Sequence, residues 1–188
     1  DALVIGIFMS ASAVTYYSLP ASLIEYIRRF AAAMTETFVP LTSQMKARAE
    51  MEAVRELLLR GTRIATLIGT PMCMVCLVVG ERFIALWVGP EYAVRGSSAL
   101  TVLAVAQLFS IPHLTSREVM NGLGLHRVNA YCYVAEAIVN LGLSLFLVQR
   151  LGLLGVAVGT AIPHLALVTI VFPVLICRVL QLPLWHFF

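Results

Sequence analysis

The chain has 188 residues, of which 60% are hydrophobic and only 12% are charged, and its formal net charge is +3. Ordinary soluble domains carry about 25% charged residues, so this composition, with a mean hydropathy of +0.91, excludes a typical soluble domain. The arginines are scattered between apolar runs and form no basic stripe, which argues against nucleic-acid binding. The natural unit of length is therefore the membrane-spanning helix of about 20 residues.

Uncharged runs separated by turn signals predict an all-α membrane protein, a bundle of about five to six transmembrane helices. The chain opens inside an apolar stretch without a signal peptide, so we expect it to be one transmembrane lobe, residues 1–188, of a longer protein. The predicted spans are 2–9 (partial), 15–39, 64–88, 99–121, 129–149 and 156–177.

The span 15–39 is unusual because it contains Glu25, Arg28, Arg29 and Glu36. A charge at the centre of a bilayer costs roughly 2.5–3.5 kcal/mol, so such residues usually face a bundle interior or a watery cavity. At about 100° per residue, Glu25, Arg29 and Glu36 share one helical face and Arg28 flanks it. Two interpretations stay open: the charges line a cavity, or they only neutralise one another within and between helices.

Proline residues mark the limits of this segment. Pro20 near its start predicts a kink, and Pro40 after its end predicts a stop. The polar region 41–63 that follows has apolar positions on one rough face, which predicts an amphipathic helix at the membrane surface. Its five basic residues predict a cytoplasmic location, together with 122–127 and Arg178. The connections on that side then carry seven Lys and Arg residues against three on the other.

The later spans contain further polar residues. Residues 89–98 are predicted to be a loop, and the span after it contains the adjacent pair Arg117–Glu118. We expect this pair either to reach the interface or to bind neighbouring side chains. Glu136 has no partner three or four residues away, so interhelical pairing and a coupling-ion role are both open. Asn140 is expected to form a hydrogen bond between helices.

Other motifs favour packing over chemistry. Cys73 and Cys76 form a CxxC inside an uncharged run, where apolar packing is the simplest interpretation. The histidines show no metal-ligand spacing, and structural hydrogen bonding is expected for all four of them: His113, His126, His164 and His186. The glycines between 152 and 159 predict close helix packing. With no catalytic motif visible, we expect neither an enzyme nor a cofactor or metal site.

Four sequence segments occur in the order that is typical of one family. The run Tyr17–Ser43 resembles the Y-x-x-a…P-l-S helix of oligosaccharide-lipid flippases, and Leu86–Tyr92 (LWVGPEY) resembles their l-W-x-G-x-x-y motif. Val119–Tyr131 is similar to their l-x-G-x-G-r-h-r turn, and Asn140–Pro163 to their N-l-x-L…G-l-x-G-a-a-x-G-T stretch. These proteins belong to the multidrug/oligosaccharidyl-lipid/polysaccharide exporter superfamily, and the resemblance covers nearly the whole chain.

This resemblance implies the carboxy-terminal lobe of a two-lobed O-antigen (polysaccharide) flippase of the inner membrane, with twelve to fourteen helices in all. The expected substrate is an undecaprenyl-pyrophosphate-linked oligosaccharide. Arg28 and Arg29 would bind its pyrophosphate or acidic sugars, and Glu25 or Glu36 would couple an ion. The expected partners are membrane lipid, the amino-terminal lobe and a glycan polymerase machinery.

Two alternatives stay open beside the flippase. The first is a drug/cation antiporter of the same superfamily. The second is a non-transporting scaffold subunit of a glycan synthesis complex.

Overall fold

The computed structural model describes residues 1–183 and consists of helices, with no strand in that range. His186 lies outside the described residues. Three of the helices have ten residues or fewer, and a π-helical turn joins the last two helices. The helices are α1 (Ala2–Phe8), α2 (Ala11–Thr35), α3 (Phe38–Ala47), α4 (Met51–Trp87), α5 (Pro90–Gly122), α6 (His126–Leu151), α7 (Leu153–Ala166) and α8 (Phe172–Leu180), with the π-helical turn at Leu167–Val171.

Four helical segments are long and apolar enough to cross a membrane, which confirms an all-α membrane protein. They are Met51–Trp87, Pro90–Gly122, His126–Leu151 and Leu153–Leu180. The last of these is α7, the π turn and α8 in succession. Helix α2 has 25 residues, about 37 Å at 1.5 Å per residue, but its ionisable residues make it less apolar than these four. A fifth span at α2 therefore stays a prediction.

The boundaries around residue 40 differ from the predicted ones. Helix α2 already ends at Thr35, and Glu36 lies in the turn before α3. Pro40 does not follow the end of a span, because it lies in the first turn of α3, where its missing N–H has no intrahelical partner to lose. The single surface helix expected over 41–63 is divided at residues 48–50. Its second half continues directly into the next span as α4, a helix of 37 residues.

The loop expected at 89–98 is also a helix. Helix α5 begins at Pro90, and only Val88 and Gly89 separate it from α4. Gly89 has φ +133, a conformation that other residues rarely adopt. Proline is favoured in the first helical position, and Glu91 in the first turn complements the helix dipole. The Gly-Pro pair is thus a tight turn and the start of a helix.

The described residues form two apolar cores. The first joins α1, α2, α4, α5 and the start of α7, with Ile5, Ile84 and Ile111 fully buried. The second joins the start of α4, the end of α5, the π turn and α8, around Val54 and Phe172. Cys73 and Cys76 are buried free thiols in the first core, which confirms the prediction of apolar packing.

Helices α6 and α7 approach one another closely through glycine. A Cβ atom on Gly159 would lie 2.7 Å from Ser144 Oγ and 2.8 Å from Ser144 N. A Cβ atom on Gly155 would meet the carbonyl oxygen of Leu147 at 2.2 Å. These positions need glycine because any side chain would collide with the α6 backbone. The small-residue pattern therefore marks close packing, as the sequence predicts.

Hydrogen bonds join α3 and α4 to the carboxyl ends of α5 and α8 at one end of the bundle. Lys46 Nζ donates to the carbonyl of Leu123 at 2.6 Å, and Ser43 Oγ donates to that of Gly122 at 2.9 Å. Arg55 Nε donates to the carbonyl of Leu180 at 2.7 Å. These carbonyls lie at the carboxyl ends of helices, where cationic donors are favourable. Residues 41–63 therefore lie at the same end of the bundle as the 122–127 turn and the end of α8.

Candidate functional site

A cavity of about 220 Å³ lies between α2, α5, α6 and α7, and the π turn and α8 close its far side. Along α5 its lining residues lie between 110 and 117, where the first core (Ile111) gives way to the second (Val119). Most of its lining is polar or ionisable, which is unusual among apolar membrane helices. The lining residues are Arg28, Ser110, His113, Leu114, Arg117, Tyr133, Glu136, His164, Val168 and Phe172.

Helix α2 brings two guanidinium groups to one carboxylate. Arg28 donates to both oxygens of Glu25, from Nε to Oε2 and from Nη2 to Oε1, each at 2.7 Å. Arg29 Nε donates to Glu25 Oε1 at 2.8 Å. Since two arginines share a single glutamate, this cluster keeps one positive charge that no carboxylate among residues 1–183 pairs in this structure. That remaining charge can attract an anion.

The two arginines face different surroundings. Arg28 is 38% exposed and lines the cavity, whereas Arg29 is 70% exposed. Arg29 and Glu25 line a separate, open groove of about 440 Å³, which also includes Asp1, Ser18 and Tyr26. Glu36 joins neither site, because α2 ends before it and its side chain is exposed in the turn. The predicted charged face therefore reduces to Glu25 and Arg29, with Arg28 turned inward beside them.

A chain of hydrogen bonds crosses the cavity through His164. Its Nδ1 lies 2.7 Å from Glu136 Oε1 of α6, and its Nε2 lies 2.7 Å from Ser110 Oγ of α5. The Ser110 hydroxyl also donates to the carbonyl of Ala106 at 2.9 Å. Glu136, which has no partner on its own helix, thus meets an interhelical one. Three helices are joined by one imidazole near the middle of the last span.

Arg117 and Glu118 form a second polar cluster at the cytoplasmic side predicted for the cavity. Arg117 Nε donates to Glu118 Oε1 at 2.7 Å, and Asn121 Nδ2 donates to Glu118 Oε2 at 3.3 Å. Asn129 Nδ2 on α6 donates to Asn121 Oδ1 at 2.7 Å. Glu118 is only 8% exposed and Arg117 is 21% exposed. The pair is buried between helices instead of reaching the interface.

Asn140 lies outside the cavity and joins α6 to α7. Its Oδ1 accepts hydrogen bonds from Ser144 Oγ at 2.9 Å and from Thr160 Oγ1 at 3.3 Å. Thr160 Oγ1 is also 3.0 Å from a carboxylate oxygen of Asp1, which accepts from the Tyr17 hydroxyl at 3.0 Å. The geometry is that of an interhelical hydrogen bond, which is what the residue type predicts in a membrane.

Four polar lining residues were not predicted as site residues: Ser110, His113, Tyr133 and His164. None belongs to a motif, and their spacing along the chain carries no signal. Two clues existed in the sequence. His113 and His164 each follow a proline inside a span, and an unpartnered Glu136 in a span requires an interhelical partner.

The cavity has the hydrogen-bonding order of a Ser–His–acid triad, in which the serine gives its proton to the histidine. Here Ser110 Oγ has two partners: it donates to the Ala106 carbonyl at 2.9 Å, and it lies 2.7 Å from His164 Nε2, where donor and acceptor depend on the tautomer of the imidazole. No group of three or more His, Cys, Asp or Glu residues within 1–183 could hold a metal ion.

An apolar groove of about 620 Å³ runs between α2 and α4. Leu23, Ile27, Phe30, Val75 and Phe83 are among its lining residues. Tyr26 lines both this groove and the open charged groove of Arg29. The apolar groove therefore adjoins the open charged groove on α2.

Comparison with known proteins places the chain in a family. The model of the family described as "Polysaccharide biosynthesis protein" matches residues 1–95, which is half of the 188 residues. The chain belongs to this family. This membership confirms the resemblance seen in the ordered motifs. Together with the four apolar helices, it identifies a multi-pass membrane protein.

Curated relatives agree with this family. A Shigella flexneri protein named as an O-antigen transporter is 27% identical over 162 residues, which are 86% of this chain and 38% of that protein. Two Haloferax volcanii proteins are named as flippases, one of them of low-salt glycan biosynthesis. They are 24% and 25% identical over 86% and 85% of this chain, and over 34% of their own length. The chain thus spans little more than a third of these relatives. No solved structure matches it.

Proposed function

We propose that this chain forms one lobe of an inner-membrane flippase that moves a lipid-linked oligosaccharide of the undecaprenyl-pyrophosphate type between leaflets. The observation that carries the proposal is the unbalanced positive charge of α2, where Arg28 and Arg29 share Glu25 beside an interhelical cavity. A guanidinium fork suits phosphate oxygens better than any other protein cation. The pyrophosphate, or an acidic sugar, is the part of the substrate that this charge would bind.

The apolar groove between α2 and α4 fits the same substrate. A lipid-linked glycan has a charged head and a long hydrocarbon chain, and these need different surfaces. The apolar groove lies beside the charged residues of α2, because Tyr26 lines both this groove and the open groove that contains Arg29. The relatives named as flippases and transporter support transport over catalysis. We further propose that residues 41–63 lie in the cytoplasm and that the rest of the full-length protein provides the second lobe.

The experiment is complementation in cells that lack the full-length gene. Arg28→Ala/Arg29→Ala should reduce surface glycan tenfold or more, which corresponds to about 1.4 kcal/mol or more in the transport step, at unchanged protein level. Arg60→Ala is the matched control, because Arg60 is an exposed arginine of α4 whose only ion pair among residues 1–183 is with Glu56, at i−4 on its own helix. Normal surface glycan in the double variant would contradict the proposal.

The same cells separate the alternatives. With a flippase defect, the lipid-linked oligosaccharide is still made and accumulates on the cytoplasmic leaflet. If the oligosaccharide is not made at all, the chain belongs to a synthesis scaffold. If glycan is normal and dye or drug efflux is lost, the protein is an antiporter of the same superfamily.

A further inference from the structure

Helix α2 buries an apolar face and has a polar stripe on its exposed side. At about 100° per residue, the stripe consists of four exposed or half-buried residues: Ser18, Ser22, Glu25 and Arg29. In α4 and α6 the exposed side chains include apolar ones such as Val78, 77% exposed, and Ile138, 67% exposed. Exposed apolar side chains suit lipid, whereas a polar stripe on a membrane helix needs water, protein or a polar ligand. The stripe of α2 is therefore a surface for something polar.

The stripe lines the open groove of about 440 Å³. From Ser18 to Arg29 it is about 16 Å long at 1.5 Å per residue. The enclosed cavity beside Arg28 is smaller, at about 220 Å³. A compact phosphate group suits the enclosed cavity, whereas a row of sugar rings needs the longer and open groove.

The polar groups of the groove have hydrogen-bonding capacity left over. Glu25 accepts two hydrogen bonds from Arg28 and one from Arg29, whereas a carboxylate has about four acceptor sites. Arg29 donates to Glu25 through Nε, so the donors on its Nη atoms are available. The Ser18 hydroxyl donates to the carbonyl of Thr15 at 3.3 Å, so its oxygen can still accept. Neighbouring donors and acceptors of this kind match the hydroxyl groups of a sugar, each of which donates and accepts.

Tyr26 adds an aromatic surface at the edge of the groove. Its side chain is 64% exposed and lines both the open groove and the apolar groove between α2 and α4. A sugar ring has hydroxyl groups at its rim and C–H groups on its faces. An exposed tyrosine ring can therefore pack against one face while polar neighbours bind the rim. Hydroxyl, carboxylate, guanidinium and aromatic groups thus meet in one exposed groove.

We propose that the open groove binds the sugar rings of the transported oligosaccharide, whereas the enclosed cavity beside Arg28 binds the phosphate. Ser22, Glu25 and Arg29 bind sugar hydroxyls, and Arg29 also pairs with the carboxylate of an acidic sugar. Tyr26 packs against a sugar ring. This inference rests on the proposed function and divides its substrate between two sites, so the residues of the stripe determine which glycan is accepted.

The first test measures binding by the full-length protein that carries this chain, reconstituted in lipid nanodiscs. The two ligands are lipid-linked oligosaccharide extracted from cells that express the gene, and undecaprenyl pyrophosphate without sugars. The wild type should bind the lipid-linked oligosaccharide about tenfold more tightly than undecaprenyl pyrophosphate, because only the former has sugars for the groove. Equal affinities would overturn the proposal.

Variants locate this difference in affinity. Ser22→Ala/Tyr26→Leu should remove it, while the affinity for undecaprenyl pyrophosphate stays within about twofold of the wild type. Arg28→Ala should weaken the binding of both lipids, because both carry the pyrophosphate. Ser98→Ala/Tyr131→Leu is the matched control, since these exposed residues of α5 and α6 line neither the open groove nor the cavity. A difference that persists in Ser22→Ala/Tyr26→Leu, or that is lost equally in the control, would contradict the proposal.

A second measurement tests whether the groove is open to water in the full-length protein. Ser22→Cys, in a background without other cysteines, should react with a charged maleimide, and oligosaccharide released from its lipid by mild acid should block the reaction. Val78→Cys is the control and should not react, because its exposed position on α4 is apolar and faces lipid. An unreactive Ser22→Cys would show that the other lobe covers the stripe, and the saccharide site would be wrong.

The two ligands also separate this inference from the proposed function. If the wild type binds neither lipid, the flippase proposal fails and the division of the substrate fails with it. If the wild type binds both lipids equally and still translocates the lipid-linked oligosaccharide in liposomes, the flippase proposal stands and the saccharide groove is wrong.

Discussion

Arg28 and Arg29 are adjacent in α2 and both donate to Glu25, yet they belong to two different regions of the molecule. Arg28 lines the enclosed cavity among Ser110, Arg117 and His164, whereas Arg29 borders an open groove and is 70% exposed. Inside the cavity, His164 contacts Glu136 across helices and Arg117 forms a buried pair with Glu118. Arg28 and Arg29 themselves both pair with Glu25 within α2. Adjacent arginines of one helix are therefore not equivalent, because burial decides what each can contribute.

The largest expected difference concerns the buried pair Arg117–Glu118. Arg117→Ala should lower the free energy of unfolding by about 3–5 kcal/mol, because it leaves the carboxylate of Glu118 buried without its cation. Reversible unfolding of the full-length protein in mixed micelles measures this. The exposed control Arg60→Ala should change stability by less than about 1 kcal/mol. Equal losses of unfolding free energy in both variants would show that the Arg117–Glu118 pair is as well solvated as a surface ion pair.

A larger side chain between α6 and α7 should push these helices apart and disturb the cavity, but it should leave the open groove of Arg29 unchanged. Gly159→Val should lower the free energy of unfolding by about 1–3 kcal/mol through overpacking against Ser144. It should also break the Nδ1–carboxylate contact of His164 with Glu136. Gly142→Val is the matched control on α6, because a Cβ atom there has nothing within 4 Å. A Gly159→Val variant as stable as the Gly142→Val variant would contradict the packing described for α6 and α7.

How much of this the sequence predicts depends on the kind of feature. The helices follow from uncharged runs, and Glu25, Arg28 and Arg29 stand out because charge is costly in lipid. The positions of helix ends are harder to predict. The polar residues 89–98 suggest a loop, but the turn is completed at Gly89 and α5 already begins at Pro90. The meeting of Ser110 with His164 cannot be read from the chain, because 54 residues separate them and only packing decides which faces meet. The role of Arg28 and Arg29 in substrate binding stays a prediction.

Neutralising Glu25 should have a smaller effect. Glu25→Gln removes the carboxylate shared by two arginines, and because these pairs are a third or more exposed we expect a loss of about 0.5–1 kcal/mol in unfolding free energy. Glu56→Gln, which removes a fully surface-facing pair with Arg60, is the comparison. A loss above about 2 kcal/mol would mean that the open groove is covered in the full-length protein.

The smallest effect is expected at Arg29. Arg29→Ala should change the free energy of unfolding by less than about 0.5 kcal/mol, since Arg28 retains both of its bonds to Glu25. Arg28→Ala should cost more than Arg29→Ala in the same assay, because the side chain of Arg28 packs in the cavity. If the two variants rank in the opposite order, the distinction between the enclosed and open regions is wrong.

The hydrogen bonds of Ser43, Lys46 and Arg55 anchor one end of α4. These bonds tie the beginning of α4 and the neighbouring α3 to the ends of α5 and α8, so a tilt of α4 would be centred there. A helix of 37 residues is about 55 Å long, and a tilt of about 5° displaces its far end by about 5 Å. A small adjustment near these hydrogen bonds would therefore be enlarged several-fold at the other end of α4.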